Sequence, residues 1–312
     1  MNSISKEIKQ LLSDQKTEWE LAGKNFAGLE GVQVREFQFD GFTVKVQFNP
    51  GRIVSSAAKV DKKSIAARPC FLCAENRPAE QRGVAFGDYE VLVNPFPIFP
   101  EHFTIPAFAH TPQQIKGNFG NMLDLSQAME GFSLFYNGPK CGASAPDHFH
   151  FQAGNAGFMP LDEETTTLKE KYGDCWEIDE VNYCAIKDGL RNFLVLESVD
   201  KMVLINAFTH IYSELEDPQN DEEPMLNILA RYNDGGWRVL VFPRALHRPS
   251  QYFAEGEENI LISPASVDMG GVLITPQEKD FLKIGKTDIE SIMKQVLLPV
   301  DQFDKLTTKL KQ

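Results

Sequence analysis

The six residues Asp147-His148-Phe149-His150-Phe151-Gln152 constrain this chain more tightly than any other stretch. Polar and aromatic side chains alternate strictly, which is the period-2 pattern of a half-buried strand. On that reading His148, His150 and Gln152 share one face, while Phe149 and Phe151 enter the core. Same-face residues on a strand stand about 6–7 Å apart. Two imidazoles and an amide in a row on a rigid element are either satisfied by core partners or line a site, because buried polar groups need partners.

Upstream features favour a site. Cys70 and Cys73 form a Cys-Phe-Leu-Cys pair, and His110 stands in the segment Ala-His-Thr-Pro. A lone Cys-x-x-Cys fits redox chemistry or half of a zinc site. Redox chemistry wants a βαβ setting, and the Arg-Pro before Cys70 and the Asn-Arg-Pro after Cys73 suggest a loop instead. A tetrahedral zinc on these two cysteines needs two more ligands, which must come from histidine. The chain has six: His102, His110, His148, His150, His210 and His247. His110 and His148 are the best candidates, which leaves His150 free of metal; His102, His210 and His247 lack a partner set and read as structural.

Together, Cys-Phe-Leu-Cys-Ala-Glu-Asn-Arg (70–77), His110 in its Pro-flanked turn and Gly-Ala-Ser-Ala-Pro-Asp-His-Phe-His-Phe-Gln (142–152) resemble one branch of the histidine-triad superfamily. That is the galactose-1-phosphate uridylyltransferase branch, which includes nucleotidyltransferases and phosphorylases of GDP-hexoses and diadenosine tetraphosphate. The match is carried by residues 45–155. Its last motif is specific, since His-x-His-x-Gln separates transferases from His-x-His-x-His hydrolases. The resemblance implies a structural zinc on Cys70, Cys73, His110 and His148, a nucleophile at His150 and an α-phosphate contact at Gln152. It also implies an α+β fold of two histidine-triad-like halves, each an antiparallel sheet with helices packed on it. One departure is visible: Asp147 intervenes between Pro146 and His148, where the uridylyltransferases have Pro directly before the first His. With no second His-rich metal cluster either, the pattern leans toward a phosphorylase.

Composition bounds the partners. A net charge of −13 argues against nucleic acid, which requires a basic footprint. It also means that an anionic nucleotide needs locally placed cations. No apolar run reaches membrane-spanning length and Met1 to Asp14 is polar, so a cytoplasmic protein without a membrane contact is expected; homodimerisation stays open. Five cysteines, with only one close pair, suggest reduced thiols, so Cys141, Cys175 and Cys184 read as packing residues.

Along the chain, residues 4–20 have helical spacing, and 31–48 read as two alternating strands around Asp40-Gly41. Residues 55–68 read as a surface excursion. Strands are expected at 89–94, 132–136 and 149–152, with a helix at 111–130 that has Thr111 as N-cap and Pro112 at its first position. The second half looks like a weak repeat, with strands at 193–196, 201–207 and 236–243. Residues 223–233 read as part helix and part strand, and 275–298 as helix. The expected division is a catalytic half with the zinc site at 1–160 and a degenerate half at 161–312 that has lost its catalytic histidines.

A His nucleophile splits nucleotidyl transfer into two displacements, and it must be neutral and oriented through its other nitrogen. His150 suits that role, and Gln152 can donate to a phosphoryl oxygen without titrating. Gly142-Ala143-Ser144 can offer backbone N–H groups and the Ser144 hydroxyl to phosphate. Lys140, Arg52, Arg77 and Arg248 are candidate cations, and Asn94 a candidate nucleotide contact. The expectation is a nucleotidyltransferase or phosphorylase of a nucleoside diphosphate sugar or dinucleoside polyphosphate. The alternatives are a hydrolase, which Gln152 disfavours, and a nucleotide-binding protein that keeps fold and zinc without turnover.

Overall fold

Alternation along each strand decides which face a side chain meets, and here it sorts the sheet into two cores. The computed structural model describes residues 3–53, 62–220 and 222–312. Among them, β1 (Gln33–Gln38) and β2 (Thr43–Phe48) form a hairpin, and Gly41 takes positive φ in the turn. The first half continues with β3 (Gly83–Phe86), β4 (Tyr89–Val93), β5 (His102–Pro106), β6 (Phe132–Asn137) and β7 (His150–Asn155). The second half holds β8 (Gly173–Ile178), β9 (Val181–Lys187), β10 (Asn192–Ser198), β11 (Leu226–Asn233) and β12 (Gly236–Pro243). β13 (Val272–Thr275) pairs parallel to β2, making a small separate sheet with the hairpin.

The large sheet runs β3-β4-β5-β7-β6-β11-β12-β10-β9-β8, and every pairing in it is antiparallel. Its two ends have the same plan. Three strands lead into a helix, Phe119–Ala128 in the first half and Lys201–Leu215 in the second, and two more strands follow. In each half the last strand pairs between the third and the fourth. The halves join edge to edge at β6 and β11, from Leu134↔Ala230 to Asn137↔Asn227. This is an α+β fold of two halves, each an antiparallel sheet with helices packed on it.

On one face Phe103, Tyr136, Phe149 and Phe151 are buried under the helices Ser3–Glu18, Phe119–Ala128 and Lys201–Leu215. Phe149 and Phe151 meet edge to face with centroids 4.9 Å apart. Full burial of each such ring contributes roughly 2–3 kcal/mol, so the motif strand is pinned by its odd-numbered residues. On the other face Phe99, Phe135, Phe193 and Phe242 pack toward β2, β13 and the helix Lys286–Val296. The even-numbered residues of β7 point to this second face.

Several expectations are corrected. Strand β7 begins at His150, and His148 sits in the preceding bend. The expected helix at 111–130 begins only at Phe119, because Gly117 takes positive φ and the backbone before it is committed elsewhere. Residues 201–207 are helical rather than extended; the Asp200 carboxylate caps the helix by accepting from the N–H groups of Met202 and Val203. Residues 226–233 are strand throughout. The helix expected at 275–298 is two, Glu278–Lys283 and Lys286–Val296, with Gly285 at the second N-cap. Cys175 and Cys184 face each other across β8 and β9 and form a disulfide, so they are not reduced packing residues; Cys141 is free and buried. The excursion read at 55–68 lies outside the described residues as far as 61, and Lys62–Ala66 is a short helix.

Candidate active site

The Cys-x-x-Cys loop folds over the bend before β7 and brings four ligand groups together. One ligand atom from each of Cys70, Cys73, His110 and His148 lies within 4.8 Å of all the others. Cys70 Sγ is 3.3 Å from His148 Nδ1, and Cys73 Sγ is 3.1 Å from His110 Nδ1. Zinc held at about 2.3 Å by sulfur and 2.0–2.1 Å by nitrogen in a tetrahedron sets sulfur and nitrogen about 3.5 Å apart. The donor set therefore fits. His148 Nε2 donates to the Ala107 carbonyl at 2.8 Å, which leaves Nδ1 as the metal-binding lone pair. Asp147, the departure from the uridylyltransferase pattern, lies 3.9 Å from His110 Nε2 and accepts from Arg68 at 3.3 Å. It braces the outer wall of the cluster. Burial and the neighbouring Cys70 thiol push Cys73 up to about 11, a cost that a dication would reverse.

His150 faces away from this cluster into a cavity of about 610 Å³. Its Nδ1 lies 2.8 Å from the His148 carbonyl, so Nδ1–H donates and Nε2 keeps its lone pair. Burial lowers its pKa to about 4, and the imidazole is neutral at pH 7. Gln152 stands two residues along the same face, and His102 orients it. His102 Nδ1 accepts from the Ile98 N–H at 3.1 Å, so its Nε2 carries the proton that Gln152 Oε1 accepts at 3.2 Å. With its oxygen committed, Gln152 has its NH₂ left for the cavity. Burial and the nearby Arg52 hold His102 at about 3, so this donor does not titrate near neutrality.

The expected substrate contacts divide. Asn94, Arg52, Ser144 and Arg248 all line the cavity. Asn94 Nδ2 donates to Thr104 at 3.0 Å and its Oδ1 accepts from the Phe96 N–H at 2.9 Å. Arg52 donates to the Phe96 carbonyl at 2.7 Å, and although burial lowers it to about 10 it stays charged at neutral pH. Arg248 stacks 4.1 Å over the Tyr252 ring and donates to Ser263 at 3.0 Å. Lys140 and Arg77 are corrections. Lys140 is exposed and paired with Glu222, Arg77 is paired with Glu90 at 2.7 Å, and neither reaches the cavity wall.

Sequence reasoning missed several groups. Arg68 lines the cavity, donates to the Ser144 carbonyl at 3.2 Å and has a buried Nη1 without a partner among the described residues. His102 and His247 were read as structural; His102 orients Gln152, and His247 lines the cavity from the second half. Ser263 and Asp268 line it from the same half. Gly142, at positive φ, sits where a Cβ would come 2.5 Å from Ala265 Cβ. Only glycine lets the phosphate-loop candidate of one half touch the loop of the other.

The comparisons with known proteins agree with this architecture. Residues 11–155 match a domain of unknown function (DUF4922), and residues 180–312 match the C-terminal domain of GDPGP1-like proteins. No curated protein matches the chain. Among solved structures, yeast Ap4A phosphorylase Apa2 in complex with Ap4A is similar with a TM-score of 0.61 at 16% identity, over 94% of this chain and 98% of that one. The AMP complex of the same enzyme gives 0.61 at 17% identity, over 94% and 96%. The chain thus shares the fold of that phosphorylase over nearly its whole length. Its C-terminal part matches the GDPGP1-like C-terminal domain. Among the described residues no helix is long and apolar enough to cross a membrane.

Proposed function

We propose that this chain is a nucleotidyltransferase acting as a phosphorylase on a nucleoside diphosphate sugar or a dinucleoside polyphosphate. The observation that carries the reading is His150, a neutral imidazole whose Nδ1 is tied to a backbone carbonyl and whose Nε2 is left to the cavity beside Gln152. The Nε2 lone pair attacks the α-phosphorus, and the bond to the bridging oxygen breaks with its electron pair on the leaving phosphate. A phosphate oxygen of the acceptor then attacks the same phosphorus, and the P–N bond returns its pair to Nε2. Gln152 NH₂ and the 142–144 loop stabilise charge on the α-phosphate oxygens, and Arg52, Arg68 and Arg248 offset the chain's net charge of −13.

Residues 1–160 form the catalytic half. Residues 161–312 form a degenerate copy that supplies a wall of the site. Cys70, Cys73, His110 and His148 would hold a structural zinc that ties the Cys loop to the strand bearing His150. Gln152 in place of a third histidine leaves no titrating group there to protonate a leaving group, which favours transfer over hydrolysis.

Isotope exchange tests the two-step course. With the donor alone, labelled leaving group should exchange into the donor before any acceptor is added. Exchange that requires acceptor would contradict a covalent intermediate. Nucleotide binding with neither exchange nor turnover would favour a binding protein.

A further inference from the structure

The strand that carries His150 lacks its expected neighbour at the place where it matters. β6 and β7 pair in register from Phe132↔Asn155 to Phe135↔Gln152. Two residues on, the next hydrogen-bonded pair of this ladder would be Asn137 with His150. The ladder stops short of it, and the side-chain amide of Gln113 occupies the gap. Its Oε1 accepts from the His150 N–H at 2.8 Å. Its Nε2 donates to the His150 carbonyl at 2.9 Å and to the Asn137 carbonyl at 3.0 Å. Both amide protons are used, and the side chain is 1% exposed. On the other side the bonds to β5 alternate with these: the Ala107 N–H donates to the Phe149 carbonyl at 2.9 Å. Pro106 therefore faces His150 across a non-hydrogen-bonded pair, and the backbone of His150 is turned toward Gln113.

We infer that Gln113 is the positioning residue of His150, replacing a missing strand pair and holding the backbone from which the imidazole projects into the cavity. The inference rests on His150 being the nucleophile. Gln113 is itself held at both ends. Its N–H donates to the Pro146 carbonyl at 3.0 Å, and two residues on the Ile115 N–H donates to the buried Glu223 carboxylate at 2.5 Å. A helix capped by Thr111 would need the Ile115 N–H to bond the Thr111 carbonyl. That N–H goes to Glu223 and that carbonyl accepts from the Phe149 N–H at 2.7 Å, so 111–118 does not form the helix its Thr-Pro start suggests. Asn137 continues the frame into the second half. Its Oδ1 accepts from the Ser266 N–H at 2.8 Å and from Asn227 Nδ2 at 2.9 Å. Asn227 in turn accepts from Arg244, whose guanidinium donates to the Leu246 carbonyl and to the carbonyl of His247, a residue of the cavity wall. An unbroken chain of polar contacts, buried as far as Arg244, thus runs from the backbone of His150 to the opposite wall. Placing the splay here lets β6 and β7 part for the 138–149 loop without loosening the residue that must be aimed.

The test uses the full chain with zinc bound and two variants. Gln113→Met removes all three hydrogen bonds at similar volume; Gln113→Glu keeps the acceptor, removes both donors, and carries the test if the first variant does not fold. Three quantities are read: the single-turnover rate of nucleotidyl-enzyme formation, the affinity for donor nucleotide, and hydrogen exchange at the His150 amide. A positioning role predicts a rate lowered about tenfold to a hundredfold, with affinity within about threefold and zinc content unchanged. Exchange at His150 should quicken. An unchanged rate in a folded variant would overturn the inference, since a purely structural glutamine would lower melting temperature and leave the rate alone. If the wild-type chain forms no adduct, it is the nucleophile reading that fails. The exchange arm then decides alone, and unchanged protection at His150 in the variants would overturn the hold.

Discussion

The two halves of this molecule share one strand plan and present different side chains to the cavity face. β7 presents His150 and Gln152 to the second face of the sheet, with Asn94, Thr104 and Asn137 around them. β12 occupies the same place in the second half, and its run Trp-Arg-Val-Leu-Val-Phe presents Leu240 and Phe242 to that face, where they join the apolar core. The first half gathers a Cys₂His₂ cluster at the bend before β7, and the second links β8 to β9 with a disulfide that does not line the cavity. The second half presents no counterpart of His150 and Gln152 on β12 and contributes cavity wall instead, through His247, Arg248, Ser263 and Asp268. The joined sheet fixes the geometry between the two units, so one can enclose a site whose polar groups stand on the other.

The sharpest way to break this comparison is to delete one imidazole from each half. His150→Ala should lower turnover by at least about 10⁴-fold, as loss of a nucleophile does. His247→Ala, in the wall, should cost about tenfold or less. Equal losses in steady-state turnover would mean that the second half is not degenerate.

Next in size is the contrast between the two staples. Cys73→Ser should release the bound zinc, measured by elemental analysis, and lower Tm by about 5–15 °C, as loss of a structural metal worth a few kcal/mol implies. Cys184→Ser should lower Tm by less, because its bridge closes a loop of only 9 residues. It should leave turnover intact. A larger loss from the second half would invert the account of which staple serves the site.

Arg248→Ala sharpens the role of the wall. Affinity for acceptor phosphate should fall about tenfold, while the rate of adduct formation changes less than about threefold. A matching fall in adduct formation would move Arg248 to the donor phosphates.

The smallest effect is one of pH. Burial lowers His150 to about 4, so the neutral nucleophile persists as pH falls through the ordinary imidazole value of 6.5. Adduct formation should be nearly flat between about pH 7.5 and 5.5 in single-turnover measurements. A fall centred near 6.5 would mean an imidazole in contact with water.

The site was legible in the sequence where its chemistry is local. Six consecutive residues carry the proposed nucleophile, the amide and the two rings that anchor them, and the Cys-x-x-Cys spacing points to histidine as the source of the two further ligands a zinc would need. Gln113 and His102 were illegible for a physical reason. Each acts through one hydrogen bond or a few, to residues 37 to 50 positions away, and no local pattern marks a glutamine that replaces a strand neighbour. Thr111-Pro112 mimics a helix start, but the Thr111 carbonyl and the Ile115 N–H, which would pair in the first turn, are spent on Phe149 and Glu223. The helix Lys201–Leu215 was misread because Met-Val-Leu-Ile suits a strand as well as a helix, and its Asp200 cap was overlooked. Lys140 and Arg77 stand beside the motifs in sequence, yet each turns to a carboxylate outside the cavity.

The most direct test of the central claim is the site of nucleotidylation. The protein would be mixed with UDP-, GDP- and ADP-sugars and diadenosine tetraphosphate without phosphate, then digested under mildly alkaline conditions and mapped by mass. The account predicts one nucleoside-monophosphate adduct on the peptide containing His150, absent in His150→Ala and discharged by phosphate. An adduct on His247 or another residue, or turnover with no adduct on any peptide, would contradict it.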